Sequence, residues 1–357
     1  MKRIICMLTA VALCAAGLAA NEPKLILNAR TSANLMTVDF DESDNNLGIR
    51  LGGNDIFGLE YKGENAGAKI TLLGNLNTGT VAIDEYLGWM KFGFLKLSAG
   101  RWSYRFANAV TADASSWATF ERYRYGAIKN GTLVRESDNI AFWSQSEFAA
   151  DATFGDFVLS AASGTNDANT AYHIQDQWAA RAAYTIKDTA SLSGSFIQSS
   201  EKLASAGVFA NLLMVKNLAL VAGYSGAYDY DEVKNNVHAA ELRARFVMDK
   251  LSLTSHNNAS FGDKTTTLYN MANVAYKIND NVTAALYASN VNISGKNAKV
   301  STTVNHNGNT FSIRPGVTLM AQKGATIDAG PQFNFTTSPV KDDTSIMTFP
   351  VTFRVRF

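Results

Sequence analysis

The stretch MTFPVTFRVRF, residues 347–357, ends the chain. Every odd-numbered position in it is apolar, and every even-numbered position is polar or proline. A period of two is that of a β-strand with one apolar face and one polar face. The pattern therefore predicts a last strand that ends on an aromatic residue, Phe357. The terminal strand of a soluble sandwich would show the same alternation, so that alternative stays open at this point.

The terminal strand resembles the C-terminal signal of Gram-negative outer-membrane β-barrels, in which an alternating strand ends in Phe. The resemblance implies that the chain lies in the outer membrane. It also implies that Phe357 is an assembly signal, bound by the machinery that inserts such barrels.

The other end of the chain has the pattern of a secretory signal peptide. Lys2 and Arg3 precede an apolar stretch that ends at Leu18, and small residues follow it. This pattern predicts that residues 1–20 are a leader that is cleaved on export. Both cysteines, Cys6 and Cys14, fall in it, so the mature chain would contain none and could not be a disulfide scaffold. A lipoprotein anchored through Cys14 is the alternative, although the preceding Leu13 is larger than the residue usual there.

Composition is compatible with a barrel. The 357 residues carry a formal net charge of +1, and the mean hydropathy is −0.06. No mature stretch approaches the run of about 18 apolar residues that a transmembrane helix needs. A transmembrane barrel has neutral average hydropathy because half of each strand faces lipid and half faces water. Two soluble domains would also fit the length, but no linker or composition break divides the chain.

Alternating segments recur along the chain, for example in residues 178–186 and 240–248. Short polar turns such as Asp249-Lys250 alternate with longer stretches such as residues 294–309. The pattern predicts an all-β fold for residues 21–357, a transmembrane antiparallel β-barrel of about 18 strands, with 16 as the alternative. The first segment, residues 24–40, changes phase midway and should contain a bulge or be two elements. Prolines remove a ladder donor, so three of them are expected at strand ends or bulges: Pro315, Pro331 and Pro350.

Two segments resemble the general porins. EYLGWMKFGFLKLSAGR, residues 85–101, is similar to that family's YxGL strand, its tight FG turn and a strand ending in Gly-Arg. RESDNIAFWSQSEF, residues 135–148, is similar to the family's RxDNSxxYxSPxF strand. It departs from the pattern where Gln145-Ser146 replaces Ser-Pro and where Arg135 lies one residue further from Asp138. The resemblance implies a homotrimer and a long loop after the fifth strand, residues 102–134, that folds into the barrel and narrows it.

Charged residues on the predicted loop and on the lumen side of the strands are the candidate pore lining. They are Arg101, Arg105, Asp113, Glu121, Arg122, Arg124, Arg181, Glu241, Arg243, Arg245 and Arg314. Asp113 or Ser115 can cap a short helix that runs to Tyr125. Arginine outnumbers the carboxylates in this set, and a cationic wall favours anions. A surface loop with a solvated charged face is the alternative for residues 102–134.

Enzyme chemistry finds little support in the sequence. The four histidines are scattered and have no HExxH spacing, and no motif implies a metal, a cofactor or a nucleic-acid partner. The predicted function is a porin through which small hydrophilic solutes and ions diffuse passively. Its expected partners are the lipid bilayer, those solutes, the assembly machinery and further copies in a homotrimer. The alternative is an adhesin or structural barrel that uses outer loops such as the acidic stretch from Tyr228 to Glu232.

Overall fold

The computed structural model describes most of the chain after the predicted leader, with gaps. The described residues are 23–41, 50–75, 78–101, 125–129, 132–135, 146–164, 178–187, 189–198, 201–212, 215, 217–231, 233, 236–262, 266–294, 308–337 and 343–356. Their regular elements are β-strands. No helix in these residues is long and apolar enough to cross a membrane.

The strands follow one another along the whole described chain. Their bounds are β1 (Lys24–Asp39), β2 (Arg50–Lys62), β3 (Ala66–Asn75), β4 (Thr80–Phe92), β5 (Leu95–Arg101), β6 (Tyr125–Lys129), β7 (Thr132–Arg135), β8 (Ser146–Phe154), β9 (Phe157–Gly164), β10 (Trp178–Ile186), β11 (Ala190–Gln198), β12 (Leu203–Leu212), β13 (Leu218–Asp229), β14 (Val237–Met248), β15 (Leu251–Gly262), β16 (Thr266–Lys277), β17 (Val282–Ser294), β18 (Gly308–Gln322), β19 (Ala325–Ala329), β20 (Gln332–Thr337) and β21 (Thr344–Arg356).

Nineteen of these strands form one antiparallel sheet, and β6 and β7 form a separate hairpin. Consecutive strands of the sheet pair along the chain except for β19 and β20, β5 pairs with β8, and β1 pairs with both β2 and β21. The sheet therefore closes on itself, which confirms the predicted all-β barrel. β19 and β20 both lie between β18 and β21 and are two halves of one crossing. With β19 and β20 counted as one, the 19 strands of the described sheet form 18 strands of the barrel wall.

Connections differ between the two ends of the barrel. At one end, called the turn end, they are short, as at residues 93–94, 155–156, 249–250 and 323–324. At the other, called the loop end, some are much longer, as at residues 102–145 and 295–307. Asp249 in a turn has a φ of 49°, a left-handed conformation that short hairpin connections use. This alternation of short and long connections was expected from the sequence.

The barrel is irregular beside its closing strands. β1 changes register against β21 between Asn34 and Thr37, which confirms the predicted bulge. Pro331 lies in the break between β19 and β20, also as predicted. Pro350 lies inside β21 but opposite Asn34, at the bulge of β1, which also agrees with the prediction. Pro315, in contrast, lies inside β18 and not at its end.

Register explains why the two internal prolines are tolerated. Around Pro315 the register of β18 is the same with β19 and with β20, since Val317 pairs with Ala329 and Ile313 with Phe333, so Pro315 lies opposite Pro331. The register shift of β18 against β19 falls further along, between Met320 and Gln322. In the same way, β21 places Pro350 opposite Gly330 and beside the bulge of β1. Pro315 and Pro350 have no backbone N–H to donate. Both lie opposite the break between β19 and β20, where the hydrogen-bond ladder is already interrupted.

The segment after β5 differs from its expected course. The sequence predicted a strand that begins at Arg135 and continues to Phe148. In the structure Arg135 ends β7 and pairs with Tyr125 of β6, and β8 begins only at Ser146. The interval between the paired wall strands β5 and β8 is therefore residues 102–145, longer than the predicted loop.

Strands of the wall separate an apolar face from a polar one, as β14 and β15 show. On β14, Leu242 is 46% exposed and the adjacent Arg243 is 6% exposed. Exposed Leu253 on β15 likewise alternates with buried His256 and Asn258. Exposed apolar side chains and covered polar ones are the reverse of a soluble fold, and this is the pattern of a barrel that faces lipid outside and water inside.

Candidate pore wall

A polar wall forms where β14 and β15 pair. Glu241, Arg243 and Arg245 alternate along β14 and so lie on one face. Register places Glu241 opposite Asn258 and Arg243 opposite His256 of β15. The exposed apolar residues of β14 occupy the other face, so this set points into the barrel. The structure thus brings together three residues that the sequence predicted as pore lining.

Glu241 is the centre of this group. Its Oε1 atom lies 2.5 Å from Arg243 Nε, and its Oε2 atom lies 3.5 Å from His256 Nε2. The Glu241 and Arg243 side chains are each only 8% exposed. The carboxylate therefore offsets part of the positive charge that Arg243 brings to the wall and holds its guanidinium in place.

The polar surface continues across the neighbouring strands. The ring of His256 meets Tyr269 of β16 edge-on at 5.4 Å between centroids. The hydroxyl groups of Tyr269 and Tyr287 are 3.4 Å apart. Tyr287 of β17 in turn pairs in register with Arg314 of β18, which is 1% exposed. We call the set Glu241, Arg243, His256, Tyr269, Tyr287 and Arg314 the polar belt, which extends from β14 to β18.

The β6–β7 hairpin lies close to this wall. Its chain segment starts from β5 and returns to β8, and those two strands pair with each other. Yet the Cα atoms of β6 approach β13, β14 and β15 to within 8 Å. In the ring of strands, β9 to β12 separate β8 from β13. The segment therefore leaves the wall that anchors it and reaches the strands that carry Glu241 and Arg243.

A second group lies on the closing strands. Thr318 of β18 donates a hydrogen bond of 2.6 Å to Asp328 Oδ1 of β19. Asp328 and Thr352, which pair in register, are both 0% exposed. Asp328 was not among the residues predicted from the sequence to line the pore. The alternation of β19 would have identified it. Ile327 and Ala329 on either side are apolar and share the outer face, which leaves Asp328 on the inner face.

The remaining wall carries ions of both signs. Arg181 of β10 is half-buried and pairs in register with Ser160 and Ser195, away from the polar belt. Lys69 of β3 forms an ion pair with Glu85 of β4. Lys96 Nζ lies 5.0 Å from the centre of the Trp89 ring. The lysine contacts were missed because no strand by itself shows which residue its neighbour will place opposite.

Of the remaining predicted residues, one is described and the others are not. Arg101 ends β5, where its backbone pairs with Tyr86 and Ser146. The following lie outside the described residues: Arg105, Asp113, Glu121, Arg122, Arg124, Phe357, the leader 1–20 and the expected helix up to residue 124. In the described part of the chain, no three His, Cys, Asp or Glu side chains are grouped to hold a metal ion.

Comparisons with known proteins bear on the fold. No family model and no curated protein matches the chain. Among solved structures, OccK10 (OpdN) of Pseudomonas aeruginosa is similar, with 9% identity, a TM-score of 0.58, and coverage of 94% of this chain and 100% of that one. OccK2 (OpdF) of the same organism, solved in complex with glucuronate, has 10% identity, a TM-score of 0.58 and coverage of 94% and 98%.

A third similar structure is the outer-membrane protein opdK of Pseudomonas aeruginosa, with 10% identity, a TM-score of 0.57 and coverage of 94% and 99%. At such identities the likeness concerns the fold alone. The chain is built like these outer-membrane β-barrels over nearly its whole length.

Proposed function

We propose that this chain is an outer-membrane porin, whose barrel encloses a water-filled channel for passive diffusion of small hydrophilic solutes and ions. The approach of β6 to β13, β14 and β15 is the observation that carries the proposal. A segment that starts at one wall and ends beside another, where that wall is polar, belongs in the lumen and not in lipid. The apolar outer face and the covered polar inner face support the same assignment.

The constriction is assigned to the loop of residues 102–134. A closed barrel fixes the diameter of the wall, so only a segment inside it can narrow the bore. β6 belongs to this loop and lies beside the wall of Arg243 and Arg245. We assign the opposite side of the narrowest point to Arg101, the last residue of β5, and to the loop residues Arg105, Asp113, Glu121, Arg122 and Arg124.

An anion preference is the finer part of the proposal. Arg181, Arg243, Arg245, Arg314 and Arg354 share the inward phase of their strands. Glu241 offsets one of them by its ion pair with Arg243, and Asp328 adds a second carboxyl. A wall with excess positive charge raises the local concentration of anions.

Export and assembly complete the proposal. Residues 1–20 act as a cleaved leader, and Phe357 is the signal for the outer-membrane assembly machinery. A homotrimer is implied only by the resemblance to general porins. No cofactor, metal, nucleic acid or catalytic activity belongs to the proposed role.

Planar-bilayer recording of the purified protein tests the channel. Discrete conductance steps are expected, and a heat-denatured sample of the same protein is the control. In a salt gradient, the sign of the reversal potential should be the one that indicates a preference for anions over cations. Liposome swelling with glucuronate, the acid bound in the OccK2 structure, compared with neutral glucose, tests solute passage. An inserted barrel without conductance would contradict the porin proposal.

A surface-binding barrel is the second candidate, favoured by an acidic connection at the loop end whose described residues make polar contacts. Lys202 Nζ lies 2.5 Å from Asp231 Oδ2, and the hydrogen bond with Asp231 raises the pKa of Lys202. The backbone N–H of Asp229 donates to Asn236 Oδ1 at 2.8 Å. Replacing residues 230–236 with a Gly-Ser linker should abolish adhesion of whole cells to a host surface if the connection binds there. Unchanged adhesion would remove this candidate.

A further inference from the structure

The outer face of β15, β16 and β17 carries a row of asparagines. Asn257 of β15 pairs with Asn270 of β16, and Asn270 pairs with Asn290 of β17. Residues that pair directly across antiparallel strands point to the same side of the sheet. The three amides thus form one continuous line across three strands, which we call the asparagine row.

This row lies within the apolar band of the outer face. Asn270 shares its face with exposed Leu268 on the loop-end side and exposed Val274 on the turn-end side. On β15, exposed Phe261 and Leu253 enclose Asn257 in the same way. On β15 and β16 the row is therefore not at the rim of the band, whereas on β17 the next outward residue toward the loop end is Asn292. An amide there faces acyl chains, which offer no hydrogen bonds.

Small side chains border the asparagine row on its turn-end side. The next outward positions toward the turn end are Ser255, Ala272 and Ala288, which lie opposite one another on the three strands. Elsewhere the outer face is bulky, as on β10 and β11, where the rings of Trp178 and Phe196 are 5.1 Å apart. Small residues allow another protein surface to approach the backbone closely, as is usual at contacts within membranes.

Hydrogen bonds within the chain do not satisfy the row. Asn257 Nδ2 donates to Ser255 Oγ at 2.9 Å. Asn290 Oδ1, however, is enclosed and accepts no hydrogen bond from the described residues. A buried acceptor without a partner carries a desolvation cost. Asn290 Oδ1 is enclosed by the chain itself, so a donor from outside reaches it only after the Asn290 side chain turns outward.

We propose that the asparagine row is the centre of an interface with a second copy of this chain, related by a two-fold axis. A side-chain amide both donates and accepts hydrogen bonds, so a row of asparagines is complementary to an identical row. A two-fold contact places the same patch of each subunit against itself, which is the arrangement that such self-complementarity suits. The two-fold pair replaces the homotrimer that the resemblance to general porins implies. The inference requires a barrel in a membrane but does not rest on the proposed channel.

Photo-crosslinking in living cells tests the contact. Leu268→p-benzoylphenylalanine places the probe at the edge of the row and leaves all three asparagines intact. Leu192→p-benzoylphenylalanine, on exposed β11, is the matched control. Irradiation should link the first variant into a dimer of two identical chains and leave the second monomeric. Mass spectrometry of the product identifies the occupant.

Several outcomes would overturn the proposal. They are equal crosslinking from both probes, a product that contains lipid or another protein, linked trimers, and no product from position 268. A second measurement uses the near-isosteric triple variant Asn257→Leu, Asn270→Leu and Asn290→Leu with the probe at 268. We expect at least a tenfold loss of dimer while heat-modifiable migration and conductance are retained. Dimer at the original level in this variant would also contradict the inference, whereas loss of conductance in every variant would bear on the channel alone.

Discussion

Arg243 Nε lies 2.5 Å from Glu241 Oε1, one alternation back along β14. The two ions belong to the same inward face, so their charges reach the lumen as a pair and Arg245 adds a further positive charge beside them. The strands facing the β6–β7 hairpin therefore carry an excess of one positive charge over these three residues. Neutralising Glu241 should increase this excess of positive charge, and neutralising Arg243 should reduce it.

Glu241→Gln should move the reversal potential further toward anion preference, and Arg243→Gln should move it toward cation preference. A fixed charge beside a narrow aqueous path strongly affects a passing ion, and both changes should shrink at 1 M salt, where the screening length is about 3 Å. Each variant also loses a charged-group contact worth about 1.5–3 kcal/mol of stability. Bilayer recordings in a salt gradient measure the shifts.

The matched control for these two variants is Glu64→Gln, the same chemical change at an exposed residue in a turn. It should leave the reversal potential close to that of the original chain. Shifts of the same sign in Glu241→Gln and Arg243→Gln would mean that the pair does not lie along the ion path.

Deleting residues 114–124 should raise single-channel conductance, because the wall strands set the diameter of the barrel and the loop sets its bore. The deletion leaves β6 and both anchoring strands β5 and β8 in place. A deletion of similar length within residues 297–305, in another long connection at the loop end, is the control and should change conductance much less. Equal conductance in the loop deletion and the original chain would place the loop outside the bore.

The alternation of polar and apolar residues is local, so the sequence alone predicted the barrel, its turns and the inward phase of Arg243 and Arg314. Contacts that depend on register were not predictable. The ion pair of Lys69 with Glu85 joins two strands next to a register shift at Thr71 and Leu72. A single sequence does not show where such a shift falls, so it cannot assign partners beyond it.

The course of the segment after β5 was mispredicted for a related reason. Arg135 was placed in a wall strand because residues 135–148 are similar to a strand motif of the general porins. Local alternation does not distinguish a strand of the wall from a strand of a small hairpin, and Arg135 pairs with Tyr125 instead. Only the three-dimensional arrangement shows that β6 approaches β13 to β15.

Phe357→Ser should lower the amount of assembled barrel in the outer membrane while the leader is still removed. The expectation rests on the terminal aromatic as an assembly signal, which acts after export. Phe335→Ser, at an exposed aromatic of β20, is the control for losing one outward phenyl ring. Cell fractionation with unheated gels measures the folded form. Equal surface levels for the Phe357 variant and the original chain would exclude the assigned role.

Gly330→Ala should destabilise the barrel because of crowding beside the interrupted ladder. A Cβ atom at residue 330 would lie 2.2 Å from the carbonyl oxygen of Pro315 and 2.6 Å from the Cα atom of Gly316. Both obstacles are backbone atoms of β18, so no side-chain rotation relieves them and the strands must separate. Overpacking of this kind costs about 1–3 kcal/mol. Gly88→Ala is the matched control, because nothing lies within 4 Å of a Cβ atom at that position. Urea unfolding of the two variants in lipid vesicles, followed by tryptophan fluorescence, should show a lower midpoint for the residue 330 variant only. Equal midpoints would mean that residue 330 lies further from the backbone of Pro315 and Gly316 than the structure places it.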